Sequence, residues 1–279
     1  MKKGLLIAGI ALIAAGIVLM VGGFVASGFD IMKLDTTPTV TTTHPVTETF
    51  RNVEIVVGGA DVTLQPSEDG TCRVLCDERE NAPYTVTVEN GTLKIGTDIA
   101  RKWYEWLSFS FRSPSITVYL PTGTYDTLTV STGTGDVRVH DLHAKNFDLS
   151  VSTGLISVQS TTCDETLSID VSTGSTSLTD VTCKTLASNG STGGIAMVNT
   201  VVSGSMDLTR STGDISFDGC DAGQISAHTT TGSITGTLLT GKAFTAHSTT
   251  GSVRVPDSTS GDPCELITTT GDIAIRLAG

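Results

Sequence analysis

The sequence predicts an all-β fold: a parallel β-solenoid of about eight coils of 19–20 residues, with an irregular N-terminal β cap and one transmembrane helix before it. Three observations lead there. A Ser/Thr-Thr-Gly tripeptide recurs at a nearly constant interval through the second half of the chain. The composition favours strands and turns, with 47 Thr and 30 Gly in 279 residues and only 5% aromatics. The first 26 residues contain an apolar run with no internal charge. Charged residues make up 16% and the net charge is −12, which excludes a polyelectrolyte, a coiled coil and a basic nucleic-acid-binding surface.

Four segments follow from this: an anchor at 1–28, a tether at 29–49, the cap at 50–125 and the solenoid at 126–279. Leu5 to Ala26 would span roughly 33 Å as a helix, enough to cross a hydrocarbon core. Lys2 and Lys3 precede it and would hold the N-terminus in the cytoplasm, sending the rest of the chain out. Cleavage after the small residues Val25-Ala26-Ser27 is the rival reading, although the run exceeds a usual signal-peptide core. Residues 36–49 hold eight Thr and two Pro, so they read as an extended connection or the lead-in to a strand.

Residues 50–125 do not keep the period but still show strand patterns. Val53 to Val57, Val62 to Leu64, Tyr84 to Val88 and Ile116 to Leu120 alternate or run apolar, and Asn90-Gly91 marks a hairpin turn into Leu93. A solenoid needs atypical terminal coils to cover its core, and this segment is placed to supply one. Both tryptophans sit here in Trp103-Tyr104-Glu105-Trp106-Leu107, followed by Phe109 and Phe111. They read first as a plug for the cap and second as an exposed platform, Trp103, Tyr104 and Trp106, for a glycan, lipid headgroup or partner.

The repeat glycines are Gly135, Gly154, Gly174, Gly193, Gly213, Gly232, Gly251 and Gly271, spaced 19, 20, 19, 20, 19, 19 and 20 residues apart. Seven residues before them stand Leu128, Phe147, Leu167, Leu186, Met206, Ile225, Phe244 and Cys264. Two residues after them the column is Val, Ile or Thr throughout. Each copy therefore reads as strand, Thr-Gly corner, strand, corner, with inward positions every second residue. A unit this short buries its apolar face only by stacking on its neighbours. A leucine-rich repeat has a similar period, but its signature is absent. The stacked Thr read as a structural ladder. An ice-binding array is not supported, because no copy has Thr both four and two residues before the glycine.

Few residues promise chemistry. Cys163 and Cys183 share a column, so a bridge between neighbouring coils is feasible but tight. Cys72 and Cys76 would meet only across a bend, and Cys264 falls in a core column. His228 and His247 share an outward column, which is a weak metal signal without a third ligand. Asp136, Asp214 and Asp272 each follow a corner glycine but on coils too far apart to gather one cation. No nucleophile motif is present, the acidic residues are scattered, and the repeat keeps its period throughout, so no cofactor and no catalytic residue is expected.

Several motifs resemble a known family. These are Gly-Ala-Asp-Val-Thr-Leu-Gln-Pro at 59–66, Asn-Gly-Thr-Leu-Lys-Ile at 90–95, Lys-Trp-Tyr-Glu-Trp at 102–106, Ser-Ile-Thr-Val-Tyr-Leu-Pro at 115–121 with Tyr125, and the Ser-Thr-Gly-Asp-Ile coils. Together they resemble the bacterial "putative adhesin" family of β-strand-repeat proteins, a domain of unknown function. The resemblance covers residues 50–279 and implies a β-solenoid ectodomain at the cell surface. It also implies a role beside cell-envelope stress systems, and it supplies no catalytic residues.

The expected protein is thus non-enzymatic: a single-pass membrane protein with its C-terminal domain extracytoplasmic, acting as a binding or scaffold module for a protein or glycan. A stress-regulatory protein with a membrane partner is the alternative, and a carbohydrate-active enzyme a more distant one. Ile273 to Leu277, the last strand pattern, is expected to be an exposed edge through which two copies pair, or one concealed by a short tail.

Overall fold

The computed structural model describes residues 2–26, 39–97, 113–258 and 260–278. Among these residues one helix, Lys2–Ala26, precedes an all-β body. Through the repeats a longer strand runs into the Thr-Gly corner and a short one leaves it, as in His143–Thr153 followed by Ile156–Gln159, except after Gly213, where Ile215–Thr231 is one strand up to the next corner. Longer strands stack in parallel on one side and short strands on the other, coil on coil. The column predicted seven residues before the glycine is one continuous row of register partners: Leu128, Phe147, Leu167, Leu186, Met206 and Ile225. These side chains are buried, as are Ile156, Ile195 and Ile215 after the corner.

Close stacking explains the glycines better than the corner alone. Gly174 has φ 138°, and a Cβ there would lie 1.8 Å from the carbonyl oxygen of Gly154 one coil below. The sequence predicts a second corner in each coil without marking its residues. It is carried by Asp141, Ser160, Asp180 and Asn199, all at φ 48–54°. Asn and Asp tolerate this left-handed conformation because their short side chains bond locally. Asn199 Nδ2 accordingly donates to Asp180 Oδ1 one coil away, at 3.0 Å.

Three departures from the apolar columns have a single cause. Thr176, Ser188 and Gly190 surround Arg210, whose side chain points into the core at 2% exposure. Its Nη2 donates to Thr176 Oγ1 at 2.8 Å and Ser188 Oγ at 3.1 Å, and Nη1 donates to the Thr209 carbonyl at 2.9 Å. A Cβ on Gly190 would stand 3.0 Å from Nη1. Burial pulls the guanidinium down to about 10, and Asp170 opposes that.

Both ends of the stack depart from chain order. At the N-terminal end Asn52–Val57 lies between Thr92–Thr97 and Thr124–Thr134, and Asp61–Pro66 lies between Ser115–Leu120 and Val137–His140. Much of the expected irregular cap thus continues the parallel solenoid. Antiparallel strands cover it: Tyr84–Glu89, through the anticipated Asn90-Gly91 turn, and Cys72–Arg79. Thr39–Val46, expected within the tether, is a further antiparallel strand against Cys72–Arg79.

At the other end Asp262–Thr270 inserts between Ile215–Thr231 and Lys242–Thr250. Ile273–Leu277 likewise pairs with Ile234–Leu238 on one side and Val253–Arg254 on the other. This corrects the expectation of an exposed edge at Ile273. The outermost coil is instead the one before it in sequence, and Val253 is 41% exposed where Ile273 is fully buried.

Candidate functional site

The residues singled out for chemistry are mostly accounted for structurally. Asp136 Oδ1 accepts the Leu155 amide at 2.9 Å, Asp214 Oδ1 the Ser233 amide at 2.7 Å and Asp272 Oδ1 the Ser252 amide at 2.7 Å. Each corner aspartate therefore satisfies a backbone donor of the neighbouring coil. His228 and His247 are not on adjacent coils, because Ile267 of the inserted strand is the register partner of both. His228 Nε2 lies 3.2 Å from Glu265 Oε2 instead. Among the described residues no group of three or more His, Cys, Asp or Glu could hold a metal ion.

All six cysteines are free and buried. Cys163 and Cys183 are register partners as expected, without a bridge. The Cys163 thiol donates to the Lys145 carbonyl at 3.2 Å, and burial pushes the two thiols up to about 11 and about 12. Trp103, Tyr104 and Trp106 lie outside the described residues. The threonine before each corner glycine, Thr134 through Thr270, is exposed, forming a hydroxyl column along one edge of the solenoid.

Among the described residues, a cleft of about 740 Å³ lies beside the N-terminal cover. Its size falls in the range of small-molecule sites. Three segments build it: the end of Thr39–Val46 with the link that follows, the turn at 69–73, and the Pro121 to Tyr125 corner. Pro45, Val46, Phe50, Pro121 and Tyr125 supply apolar walls. The Phe50 and Tyr125 rings stack with centroids 6.1 Å apart and planes inclined by 27°. Tyr125 is anchored because its hydroxyl donates to the Pro121 carbonyl at 2.7 Å, and burial pushes that phenol up to about 12.

The polar rim is acidic. Asp69 accepts the Ser67 hydroxyl, then the Thr71 amide at 2.9 Å and the Thr71 hydroxyl at 2.7 Å, and pairs with Arg73 at 2.9 Å. These donors hold its carboxyl well below the usual carboxylate range. Arg73 also lies 4.1 Å over the Tyr119 ring, so the one cation of the lining is already engaged. Among the described residues Glu48 pairs with no cation, and it accepts its neighbour's amide at 3.2 Å. The cleft escaped the sequence reading because its parts come from segments 70 residues apart. Its visible traces were the Leu-Pro-x-Gly-x-Tyr boundary and the connection before Phe50.

The family model described as Toastrack DUF4097 matches residues 50–221 and 205–278, and the chain belongs to that family. Among solved structures, the chain is similar to a "putative adhesin" from Bacteroides fragilis NCTC 9343, with 19% identity, TM-score 0.55, and coverage of 88% of this chain and 99% of that one. Two structures from Parabacteroides distasonis ATCC 8503 are more remote. One is named a "putative lipid binding protein", with 15% identity, TM-score 0.48 and 86% and 97% coverage. The other is a second "putative adhesin", with 14% identity, TM-score 0.47 and 86% and 98% coverage. The first of these likenesses shows the shared fold. No curated protein matches the chain.

Proposed function

We propose that the chain is a non-enzymatic, membrane-anchored extracytoplasmic binding and scaffold module. The observation that carries this reading is the helix Lys2–Ala26. Leu12, Ile13, Ile17, Val18, Leu19 and Val21 lie all round its axis and are exposed. A helix that is apolar on every side is stable when buried in protein or in a bilayer. Among the described residues no helix is long and apolar enough to cross a membrane. Several side chains of this helix, including those of Leu5, Leu6 and Ile7, lie outside that set, and the span proposed here takes in its full sequence. Lys2 and Lys3 favour a cytoplasmic N-terminus. The coil-on-coil register that runs through the middle of the stack supports binding over catalysis.

Fractionation of cells carrying the full chain tests this. The expected result is retention in carbonate-washed membranes, digestion of the solenoid by protease added outside, and release into the soluble fraction once residues 1–28 are deleted. A chain that washes off, or that external protease never reaches once the wall is removed, overturns the proposal.

One observation favours a membrane-proximal regulatory partner over adhesion to another cell. Thr39–Val46 belongs to the folded body, so only residues 27–38 connect it to the helix. That connection reaches at most about 40 Å. Antibody binding to intact cells would favour adhesion, and binding only after wall removal would favour the regulatory reading.

A further inference from the structure

We propose that the cleft beside the N-terminal cover holds a neutral saccharide; this rests on reading the chain as a binding module. The walls and rim suit the two faces of a sugar ring. A pyranose has an apolar C–H face, which packs on aromatic and proline rings, and an edge of hydroxyls that donate hydrogen bonds. Phe50, Pro45 and Pro121 provide the first surface, with Phe50 backed by the buried Tyr125 ring. Glu48 and the hydroxyls of Thr43, Thr47 and Thr71 line the second.

Charge decides against other classes. An anionic ligand such as a phosphate would meet Glu48 and Asp69, while Arg73 is already paired with Asp69 and laid over Tyr119. The chain as a whole carries −12, which also repels an anion on approach. A fatty acyl chain prefers an enclosed apolar tunnel. Here two carboxylates and four threonines stand among the lining groups, and each would lose hydration against a hydrocarbon. A hydroxyl-rich neutral molecule satisfies both surfaces.

The full chain in lipid nanodiscs would be titrated with the N-acetylglucosamine tetramer and with maltotetraose, using calorimetry and saturation-transfer NMR. Inorganic phosphate and octanoate serve as competing probes. At least one saccharide should bind at one site per chain. Phe50→Ala should weaken that binding about tenfold by removing a stacking wall. Glu48→Gln, an exposed change that leaves the fold alone, should weaken it about fivefold by removing a charged acceptor. Both variants are to be checked by their melting curves.

Binding of neither saccharide overturns the proposal, as does binding indifferent to both substitutions. Binding of phosphate or octanoate in place of sugar overturns it as well. The readout does not depend on where the protein resides. A chain found at the membrane that binds no saccharide therefore sinks the saccharide alone, and a sugar-binding chain found in the cytoplasm sinks the location alone.

Discussion

Gly174→Ala tests the claim that the corner glycines are required by stacking. The residue sits at φ 138°, and a new Cβ would meet the Gly154 carbonyl at 1.8 Å and the Gly154 amide nitrogen at 3.1 Å. Neither obstacle is a side chain that could rotate away. Holding a non-glycine residue in this conformation costs about 1–3 kcal/mol. Separating the coils would also stretch the bonds from the Gly154 amide to the Thr173 carbonyl, at 3.0 Å, and from the Gly174 amide to the Thr192 carbonyl, at 2.8 Å. Each contributes about 1 kcal/mol. The expected loss is therefore about 3–5 kcal/mol. For a chain of this size it lowers the melting temperature by roughly 10 °C. Gly123→Ala is the control, since a Cβ added there would have nothing within 4 Å and its φ is unexceptional. Thermal melts by circular dichroism compare the three proteins. A Gly174→Ala chain that melts within about 1 °C of the parent, or a Gly123→Ala chain that falls as far, would refute the stacking argument.

Arg210→Leu should destabilise by about 2–4 kcal/mol, because it leaves Thr176 and Ser188 buried without their donor. The triple change Arg210→Leu, Thr176→Val, Ser188→Ala should recover most of that loss, and strict additivity in denaturant titrations would count against a coupled network. The six buried thiols all have raised pKa values, so their contribution is intact below the ordinary thiol value near 9. Above it the unfolded chain ionises first, and stability should fall between pH 9 and about 12; a Cys183→Ala chain should show a shallower fall. Asp126 and Asp272 are shifted the opposite way, by the Lys145 bond and the Ser252 amide respectively. Their contribution holds at neutral pH and should fade only as pH drops below the ordinary carboxylate value of about 4. Asp272→Asn should blunt that acid limb in pH-dependent melts.

The eight coils were legible because the inward columns repeat with the corner glycine, and a column is a local pattern that one reading frame exposes. What stayed hidden was non-local. Thr176, Ser188 and Gly190 look like flaws in their columns until Arg210, one or two coils away, is seen between them. The second corner was expected but its residues went unnamed, because Asp141, Ser160, Asp180 and Asn199 share a conformation but no single residue type. The cleft was missed because Phe50 and Tyr125 meet only after the chain has passed through the outermost coil and returned. Period detects what is repeated in every coil; a site made by unlike segments at one end of the stack has no period to betray it.

The coil order at the C-terminal end has a physical consequence for how the stack resists fraying. In a quasi-one-dimensional array the outermost unit has one neighbour and opens first. Insertion keeps Ile273 away from that outermost place: it donates its amide to the Ser252 carbonyl at 2.9 Å and has a strand on either side. The coil left outside is held at both ends by chain, and Lys242 pins it. Its ammonium, at 1% exposure, reaches past the inserted strand to Asp221 Oδ1 and the Ala222 carbonyl, both at 2.6 Å, with Asp262 at 3.4 Å. Amide exchange should then run against sequence position, with Ile273 protected far longer than the amides of Lys242–Thr250. Lys242→Met keeps the apolar stem but removes the charge that Asp221 and Asp262 face. It should speed exchange in Lys242–Thr250 and in the inserted strand together. Faster exchange at Ile273 than in the outer coil would place Ile273–Leu277 at the edge after all and reject this order of the coils.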